Sequence, residues 1–204
     1  MSQYERYVFI NCPFDESFEP LFRAIILTVR ALGFVPRCAR EWEGEAEPRI
    51  LRIARGLAES KYSIHDLSRF QGEGPDNLAR LNMPLELGMA MGIQYLRALE
   101  GLGRHNWLHL TPRNFLHNRF VSDLSGYDGG THEGTPATVI GSVAAWLKVQ
   151  PEASSSAPAP AAILNVYPVL CKLLERARQD SLGSLTWPET IEVLSRGRND
   201  RLAA

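Results

Sequence analysis

The chain of 204 residues is poor in cysteine, and the three present, Cys12, Cys38 and Cys171, are widely spaced with no CxxC or paired Cys/His pattern. That excludes a disulfide framework or zinc module and makes a reducing cytoplasm the expected setting. No run of about 18 apolar residues free of charge occurs, so no spanning helix is expected. No basic region, long apolar stretch and small-residue cleavage site precede the first strand-like run, so no secretory signal is expected either. A formal net charge of -1 gives no general attraction for nucleic acid or anionic membrane, and any anionic ligand must be held locally. GxGxxG after the first strand and GxxxxGK[ST] are both missing, which disfavours a standard dinucleotide fold or a nucleoside triphosphatase. His105 and His109 lack a companion HExxH or cysteine pattern, so no metal and no cofactor is expected. Repeats of solenoid length are also absent.

What is present alternates between short β-branched or aromatic runs and helical periodicity. Tyr7 to Ile10 reads as a buried first strand ending at Asn11-Cys12-Pro13. Leu21, Phe22, Ile25, Ile26, Val29 and Leu32 then recur at helical spacing, with Gly33 where the helix should stop. Phe34 to Cys38 gives a second strand, Pro48 opens a helix carrying Ile50, Ile53, Ala54 and Leu57, and Tyr62 to Leu67 returns as a strand. A polar segment from Ser68 to Leu81 leads to a helix over Met83 to Tyr95, where Gly88 and Gly92 are expected to allow close helix-to-sheet packing. His105 to Leu110 is the next strand, Asn114 to Thr135 is irregular with room for a short helix over a loop, and Ala137 to Val149 is the last helix of the domain. The pattern predicts an α/β fold: a flavodoxin-like or Rossmann-like doubly wound, mainly parallel sheet with a short helical C-terminal appendage. Three segments are expected: an α/β domain over 1–149, a Pro/Ser/Ala-rich linker over 150–162, and a helical tail over 163–204 that docks on the domain, a second subunit or a partner protein.

In open α/β sheets the ligand crevice lies beyond the carboxyl ends of the strands. Three segments fall there: Asn11 to Asp15, His65 to Arg69, and Asn82 to Gly88. The candidates each have two readings. Glu86, taken as a first-turn residue behind Pro84, is either a reactive carboxylate favoured in its ionised form by the helix dipole or a helix cap. Asp66 either binds sugar hydroxyls or a base, or fixes the next turn. Asn11 can bond a ribose or phosphate. Pro13 and Phe14 either floor an apolar pocket or end a strand and fill the core. Arg37, Arg69 and Arg80 are candidate anion contacts or ordinary ion-pair partners. His65 should face away from Asp66 and reads as a core histidine. The glycine-rich stretch Ser122 to Thr135 is either a cover bearing Asp123, Asp128 and His132 or a surface loop.

Three motifs, in order, resemble the nucleoside 2-deoxyribosyltransferase-like superfamily, a distant relative of bacterial Toll/interleukin-1 receptor (TIR)-like NAD-cleaving domains. They are VFINCPFDESF, YSIHDLS and NMPLELGMAMG, and they span Tyr7 to Gly92. The resemblance implies that Pro13 and Phe14 lie beneath a nucleoside. It also implies that Glu86 attacks or stabilises the anomeric carbon; Asp66 is the second catalytic candidate, helping to place the sugar, and Asn11, Arg69 and Asn82 are candidate substrate contacts. A carboxylate suits that role because N-glycosidic cleavage builds positive charge on the sugar. The implied function is an N-glycosidic-bond-cleaving hydrolase or transferase acting on a nucleoside, nucleotide or NAD-like molecule, and the implied context is that of an effector in bacterial antiphage defence. The alternatives are a non-catalytic nucleotide sensor and a TIR-like assembly module that uses the C-terminal helix to form a homo-oligomer or recruit a partner protein.

Overall fold

A computed structural model describes residues 3–70, 80–112 and 121–199. Five parallel strands form one sheet: β1 (Tyr7–Asn11), β2 (Val35–Arg37), β3 (Tyr62–Asp66), β4 (Asn106–Pro112) and β5 (Gly130–His132), in the order β2-β1-β3-β4-β5. Among the described residues six α-helices accompany them: α1 (Glu19–Ala31), α2 (Arg49–Ala58), α3 (Asn82–Leu99), α4 (Pro136–Lys148), α5 (Pro160–Asp180) and α6 (Trp187–Asn199). This is a doubly wound α/β fold with the flavodoxin strand order.

Alternation along the strands sorts the core into two layers. Val8, Ile10, Tyr62, Ile64, Leu108 and Leu110 pack with α1, α4 and α5, whereas Phe9 and Trp107 join Ile53, Leu57, Met83, Leu87 and Ala90 from α2 and α3. Helix α1 ends as the sequence requires, with Gly33 at φ +91° turning the chain into β2. Helix α2 crosses β1 so closely that a Cβ on Gly56 would sit 2.2 Å from Phe9 Cε2. Gly56→Ala is therefore expected to destabilise the fold by about 1–3 kcal/mol through overpacking, measurable as a lower urea midpoint with an unchanged slope.

Two expectations need correction. Gly88 and Gly92 do not press on the sheet: both are exposed, and a Cβ on either would meet nothing within 4 Å. The glycine-rich stretch holds a short 3₁₀ helix (Ser122–Gly126), as the irregular segment allowed, but it also holds the edge strand β5, which was not expected. Residues 71–79, within the Ser68 to Leu81 segment, and 113–120, at the start of the Asn114 to Thr135 segment, lie outside the described residues, as do the last residues of the tail.

The C-terminal segments continue the first layer. Ile163, Leu170, Leu174, Trp187 and Leu194 are buried in the same cluster as α1 and α4. The Pro/Ser/Ala-rich stretch ahead of them crosses the N-terminal end of the sheet, away from the crevice. Ser154 N donates to Leu32 O at 2.9 Å, and buried Glu152 accepts from Tyr62 Oη and Lys61 Nζ.

Candidate functional site

The strand order reverses between β1 and β3, and this is where ligands enter such sheets. Asn11 ends β1 and is paired in register with His65 on β3. Both side chains point to the α2–α3 side, and Asp66, the next residue on β3, points to the α1–α4 side.

Helix α3 begins at Asn82, after Leu81, which supplies no side-chain cap. Pro84 therefore sits at the third helical position rather than the first, and the first turn contains no acidic residue. Glu86 lies two residues deeper in the helix than the sequence reading placed it, beyond the first turn, so neither first-turn capping nor first-turn dipole stabilisation applies. It belongs to the inward stripe Met83, Glu86, Leu87 and Ala90, and is only 3% exposed.

Few groups compensate this buried carboxylate. Its Oε1 lies 4.0 Å from Arg49 Nη2 at the start of α2, and Oε2 has no hydrogen-bond partner. Burial raises the Glu86 pKa, and the opposing pull of Arg49 and of the Asn11 side chain is too small to cancel it. Arg49 also lies over the Phe14 ring, 5.7 Å from its centroid, so it links Glu86 to the apolar turn after β1.

Behind Asn11 runs a buried hydrogen-bond relay with a defined polarity. Asn11 Nδ2 is 3.2 Å from His65 Nδ1, His65 Nε2 is 2.9 Å from Ser63 Oγ, Ser63 Oγ is 2.9 Å from His105 Nε2, and His105 Nδ1 is 2.8 Å from Ser60 O. The terminal carbonyl can only accept, so His105 carries its proton on Nδ1 and its Nε2 accepts from Ser63. Ser63 then accepts from His65 Nε2–H, which leaves His65 Nδ1 to accept from the Asn11 amide. The relay thereby fixes Asn11 with its N–H groups towards His65 and Glu86. Burial lowers both histidine pKa values, to about 3 for His65 and about 4 for His105, so both rings are neutral near pH 7. Ser63→Ala would strand two buried ring nitrogens and is expected to destabilise the protein by about 1–3 kcal/mol, read from chemical denaturation at pH 7.5.

The other candidates assemble elsewhere. Asp66 is fully buried; its Oδ1 accepts from Ser68 N at 2.9 Å and from Ser68 Oγ. Its Oδ2 lies 2.9 Å from His132 Nε2 on β5, within ion-pair distance but not aligned as a hydrogen bond. Since His132 Nδ1 accepts from Gly134 N, the ring proton sits on Nε2 and faces the carboxylate. Asp66 Oδ1 thus fixes the turn through Ser68, whereas Oδ2 faces the His132 ring without a hydrogen bond. A cavity of about 480 Å³ opens beside His132, lined also by Ser17, Ser68, Arg69 and Glu133.

Arg69 and Arg80 both hold Asp15, at 2.9 and 3.0 Å. Arg37 is paired with Glu41 and Glu59. Pro13 is buried, and half-buried Phe14 packs edge-on against Phe22, 5.2 Å between centroids, under Arg40. Asn82 is exposed at the start of α3. The structure therefore brings Asn11 and Glu86 together, with Arg49 reaching from Glu86 to the Phe14 ring, and engages Asp66 with Ser68 and His132 and Arg69 with Asp15. Arg49 escaped the sequence reading, although its position directly after Pro48, at a helix start beyond β2, was a usable signal. Cys12 and Cys38 are buried with raised pKa values and are poor thiolate nucleophiles. Among the described residues, no group of three or more His, Cys, Asp or Glu side chains is placed to hold a metal, and no helix is long and apolar enough to cross a membrane.

Comparison with protein-family models and with curated proteins finds no match to this chain. Fold and site define its class: a doubly wound parallel α/β protein with a buried, incompletely partnered carboxylate beside the topological switch point.

Proposed function

We propose that this protein cleaves the N-glycosidic bond of a nucleoside, nucleotide or NAD-like molecule, with Glu86 as the reacting carboxylate. The observation that carries the reading is the unpartnered Glu86 Oε2 on a side chain only 3% exposed. A buried ionisable group with an unsatisfied oxygen is costly to keep and is characteristic of a site that waits for a ligand. Asn11 and Arg49 act on the same carboxylate and favour its charged form.

In the proposed reaction a Glu86 oxygen attacks the anomeric carbon as the C–N bond breaks, and the bond pair leaves with the base. Water or another acceptor then attacks that carbon, and the carboxylate departs with its electron pair. The base is protonated by solvent or by the incoming acceptor. Phe14 would offer an apolar surface to the substrate, and Arg49 a contact for anionic substituents. The three-motif resemblance further supports a cytoplasmic effector role in antiphage defence.

A second reading rests on the raised Glu86 pKa, because a carboxyl group kept neutral by burial can donate a hydrogen bond to a nucleotide without attacking it. The protein would then be a sensor. Incubation of wild type and Glu86→Gln with NAD, NADP, nucleosides and nucleotides, with free base followed by chromatography, separates the two. Base release by wild type that disappears in Glu86→Gln supports the enzyme; binding by wild type without release supports the sensor and overturns the enzyme.

A further inference from the structure

Helix α3 has two faces of unequal character. The inner one carries Glu86 and packs on α2 and the sheet, while the outer one ought to be polar because it meets solvent. Instead Leu81 is 73% exposed, Leu85 62%, Tyr95 69%, Leu96 61%, Leu99 79% and, just past the helix, Leu102 50%. The only two charged residues within α3 are absent from this face: Glu86 is buried, and Arg97 is bound to Gly103 O and lies over the Tyr4 ring. Contiguous exposure of this kind marks an interaction surface rather than scattered surface leucines.

The spacing states what kind of surface it is. Leu81, Leu85, Gly88, Gly92, Tyr95, Leu99 and Leu102 follow one another at alternating intervals of four and three, which is the seam of a helix that packs against another helix. We propose that α3 is the interface of a homodimer, in which two copies pack their α3 helices antiparallel about a two-fold axis passing near Ala90.

The sequence of the face is self-complementary under that operation. Gly88 of one copy meets Gly92 of the other at the centre, where two open glycines let the backbones approach. Leu85 meets Tyr95 and Leu81 meets Leu99 on either side, so large residues fill the space as the helices diverge. Antiparallel packing also sets the N-terminal end of each α3 beside the C-terminal end of the other, where the helix dipoles attract, which a parallel arrangement would not do. Six large apolar side chains, each at least half exposed, present an area of the order a specific interface needs, about 800 Å² per partner. The apolar stripe of the C-terminal tail is not available for this purpose, because Ile163, Leu170 and Leu174 are covered by the protein's own first layer.

This interface stands independently of the proposed chemistry, and its test does not involve catalysis. Sedimentation velocity of the full chain over a range of concentrations is expected to give a dimer, and Leu85→Glu with Leu99→Glu is expected to give a monomer with unchanged circular dichroism, raising the dimer Kd at least 100-fold. An equimolar mixture of Leu85→Cys and Tyr95→Cys, in a Cys171→Ser background, is expected to form a disulfide-linked heterodimer on mild oxidation, with neither variant forming a linked pair alone. A wild type that stays monomeric at every concentration, a dimer unaffected by the double substitution, or efficient cross-linking of Leu85→Cys with itself would overturn the proposal.

Discussion

Glu86→Gln is expected to lower base release by about 10²–10³-fold and, at the same time, to make the protein more stable at neutral pH. The two effects have one cause. The carboxylate is buried with one oxygen unpartnered, and Arg49 approaches the other only to 4.0 Å, so the charge is poorly solvated in the absence of substrate. A neutral amide of the same shape removes that penalty, a gain of about 1 kcal/mol or more, while it loses the anionic oxygen that the oxocarbenium-like sugar requires. The pH dependence distinguishes this from a general repair of packing. The folded-state pKa of Glu86 is raised above its unfolded value, so wild type gains stability relative to the variant as pH falls through the folded pKa. The advantage of Glu86→Gln should therefore be largest above that pKa and vanish as pH approaches the unfolded value of about 4.3. Paired denaturant titrations of the two proteins at several pH values measure it. A variant less stable than wild type at pH 7.5 would show that Glu86 is well satisfied and would remove the main support for the proposed site.

How much of this was visible in the residues differs between fold and site. Strand and helix periodicity located β1 to β4 and α1 to α4, because continuous apolar runs flanked by turn residues and a 3.6-residue stripe are local signals. Strand β5 was not legible: Gly130-Thr131-His132 has no apolar run, and it becomes a strand only through pairing with β4. The helix starting at Asn82 rather than Pro84 moved Glu86 two residues deeper, out of the first turn, and no cap residue in the sequence marked that boundary. Glycines were misleading in a similar way. Gly88 and Gly92 looked like packing contacts and are open, whereas the close approach is made by Gly56 against Phe9 and by Gly129 against His109. The clustering of Asn11 with Glu86 was anticipated by motif position, but the relay behind it was not. It depends on Ser63, His65 and His105 coming into line across adjacent strands, which is a property of register rather than of local sequence.

That relay makes the fold acid-sensitive well above the range where carboxylates titrate. His65 and His105 are both fully shielded from solvent, with folded-state pKa values of about 3 and about 4, against about 6.5 when the chain is unfolded. Between pH 6.5 and those folded values the unfolded state binds two protons that the folded state refuses, so stability falls as pH falls. Each histidine loses about 1.4 kcal/mol per pH unit in that window, so moving from pH 7 to pH 5 is expected to cost about 2 kcal/mol per ring and about 4 kcal/mol for the pair. Glu86 opposes this trend because its pKa is raised, so Glu86→Gln is the better background for the measurement. Urea unfolding at pH 7 and pH 5 should give a large drop in midpoint with little change in slope. His105→Gln should flatten the dependence to about half, since it removes one of the two titrating rings. A stability that is level between pH 7 and pH 5 would mean that one or both rings accept a proton in the folded state. The tautomer chain from Ser60 O to Asn11 would then not be the arrangement that orients the Asn11 amide towards Glu86.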